Sequence, residues 1–494
     1  MIKILLFVSG ILIPVLTFSQ TTKQKSSPPP ALSSILEKDL KKDLYEMADR
    51  HFNGRSGGTL DELKVSMWFA TKMQEAGIKP AGDDGTYFQF FSLQRNKVAS
   101  TSSISIGNRS LKLWKDVLVF QTAPANVAAP IVFIDIKNNV SLTNTDVKGK
   151  AVAIQMLRDG ILFRSLPEQR YGRELMTKYG NDLIAKGAVA IIFIADEFGE
   201  HSWDYALTNV KPGTFDIEGG ANTIIKEKPP VFWVHSNALS WFKEEGLVLN
   251  TTIVLDSFTY PSVNIVGKID GKDPVLSNEY VLLSSHQDAL GVKNIIKDDS
   301  VYHGADDNGS VTVAMLAVMR ALKKSPTKRS SLIVIHGSEE RGLLGSRWYS
   351  AHPTVPQKSI VAVLNGDMIG RNNPDSAALL GTQLPHKNSS ELATMALEAN
   401  EEGPKFKLDT LWDRPSHPEV WYFRSDHLPY ARLGIPSLMY TSLLHSEYHT
   451  PQDNAQNINY PKLKKMTDWI YRTAWKVGNA DKRPATDPNF KLER

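Results

Sequence analysis

The sequence predicts an α/β fold: a mostly parallel sheet flanked by helices, with a β-rich segment inserted into it. Three observations predict this. After Ser262, short apolar runs alternate with longer helical patterns. Between about residues 100 and 258 the texture changes to short β-branched runs separated by turn residues. A capped helical pattern near Thr59 lies upstream of that change, so one domain brackets the other.

Each element has its own warrant. Residues 1–19 read as an export signal: Lys3 gives the positive start, residues 4–16 the apolar stretch, and Thr17 and Ser19 the small residues before a cut at Gln20. A membrane span needs about 20 apolar residues, more than this run offers. Residues 20–36 form a Ser/Pro/Lys linker. Thr59 with Glu62 makes a capping box, Leu63, Met67, Ala70 and Met73 line one helix face, and Gly77 ends the helix. The inserted segment contributes strand-like runs at 130–135 (PIVFID), 151–154 (AVAI) and 188–194 (AVAIIFI). It holds few candidate ligands, and its His201 and His235 have no evident partners.

Beyond Ser262, buried-strand runs fall at 280–283, 332–335, 361–364 and 437–440. Residues 309–322 (GSVTVAMLAVMRAL) are apolar nearly all round, as a buried helix is, and Leu463, Met466, Ile470, Ala474 and Val477 give an amphipathic helix. The predicted partition is a main domain from 37–99 and 259–480, an insertion at 100–258 and a tail at 481–494.

Composition narrows the function classes. A net charge of +4 over 494 residues, with no basic cluster interleaved with aromatics, argues against a nucleic-acid partner. There is no cysteine, so no disulfide, and an exported chain of this kind rests on its own core. No later segment is apolar enough to span a bilayer.

Open α/β sheets place their sites at the carboxyl ends of strands. Four successive strand runs here lead into candidate ligands: 280–284 into Ser285-His286-Gln287-Asp288, 332–335 into Ser338-Glu339-Glu340, 361–364 into Asn365-Gly366-Asp367, and 437–440 through a short loop into Tyr448-His449. A fifth piece, Gly304-Ala305-Asp306-Asp307-Asn308-Gly309-Ser310, precedes the buried helix. Imidazole nitrogen and carboxylate oxygen suit divalent cations such as zinc. Two cations about 3.5–4 Å apart need a ligand that touches both, which a carboxylate does. Two histidines and three acids would then give each ion three protein ligands. Buried together without metal, such acids would repel one another. Adjacent residues point in different directions, so one of Glu339 and Glu340 can ligate while the other faces a water and exchanges protons. Asp288, two residues beyond His286, is placed to accept the other imidazole N–H.

Taken together these stretches, with Arg341-Gly342-Leu343-Leu344-Gly345-Ser346 after the acidic pair and Thr450-Pro451-Gln452-Asp453 after His449, resemble metallopeptidase family 28. That family contains co-catalytic zinc aminopeptidases, glutamate carboxypeptidase II and the glutaminyl cyclases. The resemblance covers about residues 37–92 and 262–478, and implies a zinc-exopeptidase-like fold with a protease-associated domain as the insertion. It implies two zinc ions per chain, with His286 and Asp367 on one, Glu340 and His449 on the other, and Asp307 bridging. It further implies Glu339 as general base and acid, Asp288 as partner of His286, Tyr448 as an oxyanion donor, and Arg424, Ser425, Asp426 and His427 as lining for the substrate pocket. The expected function is an exported aminopeptidase acting on peptides or small proteins. A carboxypeptidase, dipeptidase or glutaminyl cyclase of the same clan is the alternative, and a catalytically silent metal-stabilised binding protein is the alternative from another class.

Overall fold

The computed structural model describes residues 27–136, 145–158, 166–223 and 225–492; the export signal expected at 1–19 lies outside these. The main sheet contains nine strands in one hydrogen-bonded row: β1 (Phe88–Val98), β2 (Thr214–Ile217), β3 (Leu255–Ile269), β4 (Tyr280–His286), β5 (Ser330–His336), β6 (Ile360–Gly366), β7 (Ser376–Leu380), β8 (Lys407–Asp409) and β9 (Ser437–Thr441). Their spatial order is β8-β7-β9-β6-β4-β5-β3-β1-β2, and a two-residue strand, Lys79–Pro80, pairs with β3. The centre, β9-β6-β4-β5, is parallel. Every residue of β5 and β6 is buried, as expected where helices cover both faces. These four central strands are the ones read from sequence as ending in ligands. Outside them the sheet is mixed: β3 runs antiparallel to β5, and β7 antiparallel to β9.

The larger core lies on one face, where helices Glu37–Met47, Leu60–Glu75, Val311–Lys324 and Tyr460–Asn479 pack. Leu463, Met466, Ile470, Ala474 and Val477 are all buried there, as their spacing predicts. The helix after Thr59 forms with its predicted cap, Thr59 Oγ1 accepting the Glu62 N–H at 3.4 Å. Its buried face differs from the expected one. Ala70 and Met73 are buried as expected, but Met67 is 57% exposed and Leu63 half-buried, while Glu62, Val65, Ser66 and Phe69 also face inward. The inward stripe thus includes a polar group, the Glu62 carboxylate, which accepts from the Ser262 hydroxyl and the Ser338 N–H. The opposite face of the sheet holds a smaller core around Tyr349, Val363 and Tyr430.

Strands β1 and β3 pair from Phe88↔Ile265 out to Val98↔Leu255, forming a long two-stranded ribbon. The chain leaves the main sheet along β1 and returns along β3. Between them lies an eight-stranded sheet with its own apolar clusters on two faces. The expected β runs fall in Ala125–Ile134, Ala151–Gln155 and Ala190–Ile194. The segment also carries helices, Pro167–Leu175 and Glu197–Val210 among them. It is not wholly separate, because β2 comes from it and pairs with β1 at the edge of the main sheet. His235 has partners after all: Nδ1 lies 2.8 Å from Glu200 and Nε2 lies 3.0 Å from the Lys115 carbonyl.

Candidate metal centre

His286 is the last residue of β4, Asp367 follows β6, and Glu339 and Glu340 begin the short turn Glu339–Arg341 after β5. Asp307 sits in the turn Ala305–Ser310 that opens the buried helix. His449 arrives by the loop after β9, with a positive φ of 57°. The five side chains expected to bind metal therefore converge at the carboxyl end of the parallel strands.

Their geometry divides into two groups sharing one member. Ligand atoms of His286, Asp307 and Asp367 lie within 4.8 Å of one another, and so do those of Asp307, Glu340 and His449. Asp307 presents Oδ1 to His286 Nε2 at 3.3 Å and Oδ2 to His449 Nε2 at 3.1 Å. Glu340 Oε1 is 3.1 Å from His449 Nε2, and Asp367 Oδ2 is 3.9 Å from His286 Nε2. Glu339 Oε2 stands 3.7 Å from His286 Nε2 without belonging to either group.

The donor set fits a pair of cations. The Nε2 atoms of His286 and His449 and Oε1 of Glu340 are buried and make no hydrogen bond. Native interiors rarely leave such atoms unpaired. Protein groups alone also leave the acids in conflict. Burial, and then the neighbouring Asp307, pushes the Asp367 carboxyl up to about 8. Burial raises Glu339 well above the carboxylate range, with Asp367, Asp426 and Glu340 adding to it. Asp307 is also buried, but the two imidazoles hold it far below that range. Positive charge among these oxygens would remove the repulsion.

Buried carboxylates that are not ligands hold the ligand-bearing turns by their main chain. Asp288 accepts the N–H of Glu339 at 2.9 Å and of Glu340 at 3.2 Å. The His286 Nδ1–H is directed instead to the Asp288 carbonyl at 3.1 Å, with the carboxylate 3.7 Å away, so Asp288 orients the imidazole through its backbone more than its side chain. Glu62 accepts the N–H of Ser338 at 3.0 Å and of Gly58 at 2.7 Å, and the Ser262 hydroxyl at 3.0 Å. Asp453 accepts the N–H of Asp306 at 2.9 Å and of Asp307 at 3.0 Å. Arg55, fully buried, donates to the carbonyls of Gln287 and Gly304, joining the His286 and Asp307 loops.

A cavity of about 550 Å³ opens over the five groups. Asp307, Glu339, Glu340, Asp367, Tyr448 and His449 line its floor, and the inserted segment supplies Phe120, Arg173 and Val210 to its wall. Of the four residues expected to line the pocket, Arg424 does. Ser425, Asp426 and His427 are fully buried beneath it, where the Ser425 hydroxyl joins Asn365 to Asp367. Arg424 donates to the Tyr448 phenol oxygen at 3.0 Å and to Glu419 at 3.1 Å, and Arg170 of the inserted segment meets the same Glu419 oxygen at 2.7 Å.

Sequence reasoning missed Glu62, Asp453 and Arg55. Asp453 was within reach, since it stands four residues after His449 in a quoted motif. Glu62 reads as a capping residue, and nothing local separates the two roles.

Known proteins resemble this chain in sequence and in fold. Residues 264–474 match the model of Peptidase family M28. Aminopeptidase YwaD of Bacillus subtilis (strain 168) is 27% identical over 256 residues, covering 49% of this chain and 52% of YwaD. Leucine aminopeptidase 1 of Trichophyton rubrum is 29% identical over 216 residues, covering 40% and 54%. The chain spans about half the length of these curated relatives. Among solved structures, an aminopeptidase from Aneurinibacillus sp. strain AM-1 aligns with a TM-score of 0.58 at 16% identity, over 94% of this chain and 99% of that one. BSAP, a zinc aminopeptidase from Bacillus subtilis, gives 0.56 at 18% identity, over 94% and 100%. At these identities the likeness to solved structures is one of fold. Among the described residues, no helix is long and apolar enough to cross a membrane. The stretch that carries the five candidate ligands, residues 264–474, is thus similar to Peptidase family M28.

Proposed function

We propose that this chain is an exported zinc aminopeptidase that removes N-terminal residues from peptides. One observation carries the reading: Asp307 turns its two oxygens toward two different histidines, each of which has a further acid beside it. His286 and Asp367 would hold one zinc, Glu340 and His449 the other, and Asp307 would bridge them. Zinc in this cage would supply Lewis acidity and lower the pKa of water toward about 7.

The chain's own groups do the rest. Glu339 takes a proton from the attacking water and later delivers it to the departing amine, so the same carboxyl ends each cycle as it began. Its place outside both ligand groups leaves it free for this. Tyr448 donates its phenol proton to the oxyanion that forms from the peptide carbonyl. Arg424 positions Tyr448 by donating to the phenol oxygen, which leaves the phenol hydrogen for the substrate. Asp288 and Glu62 hold the turn that carries Glu339.

The direction of attack is read from Arg424. A carboxypeptidase needs a cation for the substrate's terminal carboxylate, but Arg424 is already engaged by Glu419 and Tyr448. The relatives named above are aminopeptidases, which supports the same direction. Residues 1–19 are read as the export signal, and residues 100–258 as a protease-associated-like domain; the ribbon of β1 and β3 supports that division.

The test is metal analysis joined to a substrate panel. Two zinc ions per chain, cleavage of leucine anilide and no cleavage of its N-acetyl form are expected. A zinc content near zero, or equal rates on the blocked substrate, would overturn the reading.

A further inference from the structure

The seam between the inserted segment and the main domain holds a second, larger hollow, a cleft of about 1150 Å³. It adjoins the cavity over the metal cage along two shared stretches of chain. Asn209 and Val210 line the cavity while Thr208 and Lys211 line the cleft. Glu340 and Gly342 line the cavity while Arg341 between them lines the cleft. The cleft therefore lies beside the cavity over the cage.

The cleft is cationic. Arg95, Lys97, Lys211, Lys293 and Arg341 face it, against the carboxylates of Asp61 and Asp256. Asp61 is paired with Lys64 at 2.9 Å, and Asp256 stands opposite Lys97 across the β1–β3 ribbon. Arg95 and Arg341 are held in place by other means. Arg95 donates to the Pro212 carbonyl at 2.7 Å and Arg341 to Ser56 Oγ at 2.9 Å, and both lie over the Phe215 ring. Lys293 sits over the Tyr302 ring, and burial, with Arg341 close by, pulls its ammonium down to about 8. Like charges gathered in a concave, partly dry wall create a focused positive potential that an anion relieves.

We propose that this cleft binds acidic residues of a peptide substrate a few positions downstream of the residue removed, so that the enzyme prefers peptides with carboxylates there. The proposal rests on the peptidase reading above. It names the occupant by charge and by place: the cleft lies beside the cage, and cations outnumber carboxylates along its lining.

Four peptides test it on the full-length zinc protein: Leu-Gly-Gly-Glu-Glu-amide, its Gln-Gln and Lys-Lys counterparts, and Leu-Gly-Gly-Gln-Gln with a free carboxyl end. The acidic amide should exceed the Gln-Gln amide in kcat/KM by about tenfold at low ionic strength. That advantage should shrink as salt screens it. The free-ended peptide separates a terminal carboxylate from acidic side chains: an equal gain there assigns the cleft to the chain end. Lys211→Glu with Lys293→Glu should bring the acidic-to-basic ratio below one. A ratio near one in the wild type, or one that survives charge reversal, overturns the proposal. Salt dependence in the wild type keeps the test decisive if the double variant does not fold. Fluorescence anisotropy with a C-terminally labelled acidic peptide measures the cleft separately from turnover. A chain that binds this peptide through the two lysines yet leaves leucine anilide intact would sink the peptidase reading and keep the anion site.

Discussion

Glu62→Gln replaces a carboxyl that burial, and then Asp288, pushes up to about 8, in a residue that lines no part of the site cavity. The carboxylate accepts from Ser338 N–H through Oε1 and from Gly58 N–H through Oε2, and from the Ser262 hydroxyl. A carboxamide of the same shape has one acceptor oxygen, so its NH2 group must face one of two buried N–H donors. Leaving such a donor unmatched costs about 1–3 kcal/mol. Unfolding should therefore become easier by about 2 kcal/mol, a fall of roughly 2–3 °C in Tm for a chain of this length. The catalytic effect follows from which donor is lost. Ser338 is the residue before Glu339, in a left-handed conformation with φ 54°, and Asp288 pins the next two amides. Releasing Ser338 frees one end of this turn, and a displacement of about 1 Å at a proton-transferring carboxyl can cost 10²-fold. We expect kcat on leucine anilide to fall about 10- to 100-fold with KM within about threefold, read by steady-state kinetics beside a thermal melt. A melt that falls while kcat stays within twofold of wild type would refute the link from Glu62 to Glu339 and leave Glu62 a purely structural residue.

Three further outcomes follow from the same geometry. Glu339→Gln should keep its zinc and its fold while kcat drops about 10²- to 10⁴-fold, measured by metal analysis and turnover on one preparation. Stripping zinc with a chelator should abolish turnover and lower Tm, with both restored on adding zinc back, because metal bound only by the folded chain stabilises it. Asp453→Ala leaves the amides of Asp306 and Asp307 without their acceptor, so zinc affinity by competition with a chromophoric chelator should weaken about 10- to 100-fold, with stability falling by about 2 kcal/mol.

The parts of the site legible in the sequence are those fixed by short-range pattern. His286, Glu340, Asp367 and His449 each follow an apolar run short enough to be a buried strand, and strand ends in such sheets converge. Asp307 was legible because the acidic turn directly precedes a helix apolar on all sides. The supporting groups were not legible, because they act on main-chain amides far away in sequence. Glu62 and Ser338 are 276 positions apart, and any carboxylate could in principle accept from any amide. The helix Glu37–Met47 escaped notice because its buried residues, Leu40, Leu44 and Met47, are thinly spread among charged ones. On the next helix Ala70 and Met73 are buried as their spacing predicts, but Leu63 and Met67 satisfy a helical period with them as well as Val65 and Phe69 do; tertiary contact decides between the two pairs. The strand β2 could not be assigned to the main sheet, since Thr214-Phe215-Asp216-Ile217 gives no sign of which neighbour it will pair with.

That strand has a practical consequence for anyone cutting the protein down. Along Leu93 to Asn96, β1 has its outer amides and carbonyls satisfied only by residues 214–217 of the inserted segment. Excising the segment and joining β1 to β3 with a tight turn would keep all five candidate metal ligands, yet bare a strand edge that also carries Leu93 and loses the shelter of Phe215. Unprotected edges of this kind recruit other chains. A minimal version should therefore precipitate or pair edge to edge unless a lysine or proline is placed on that border.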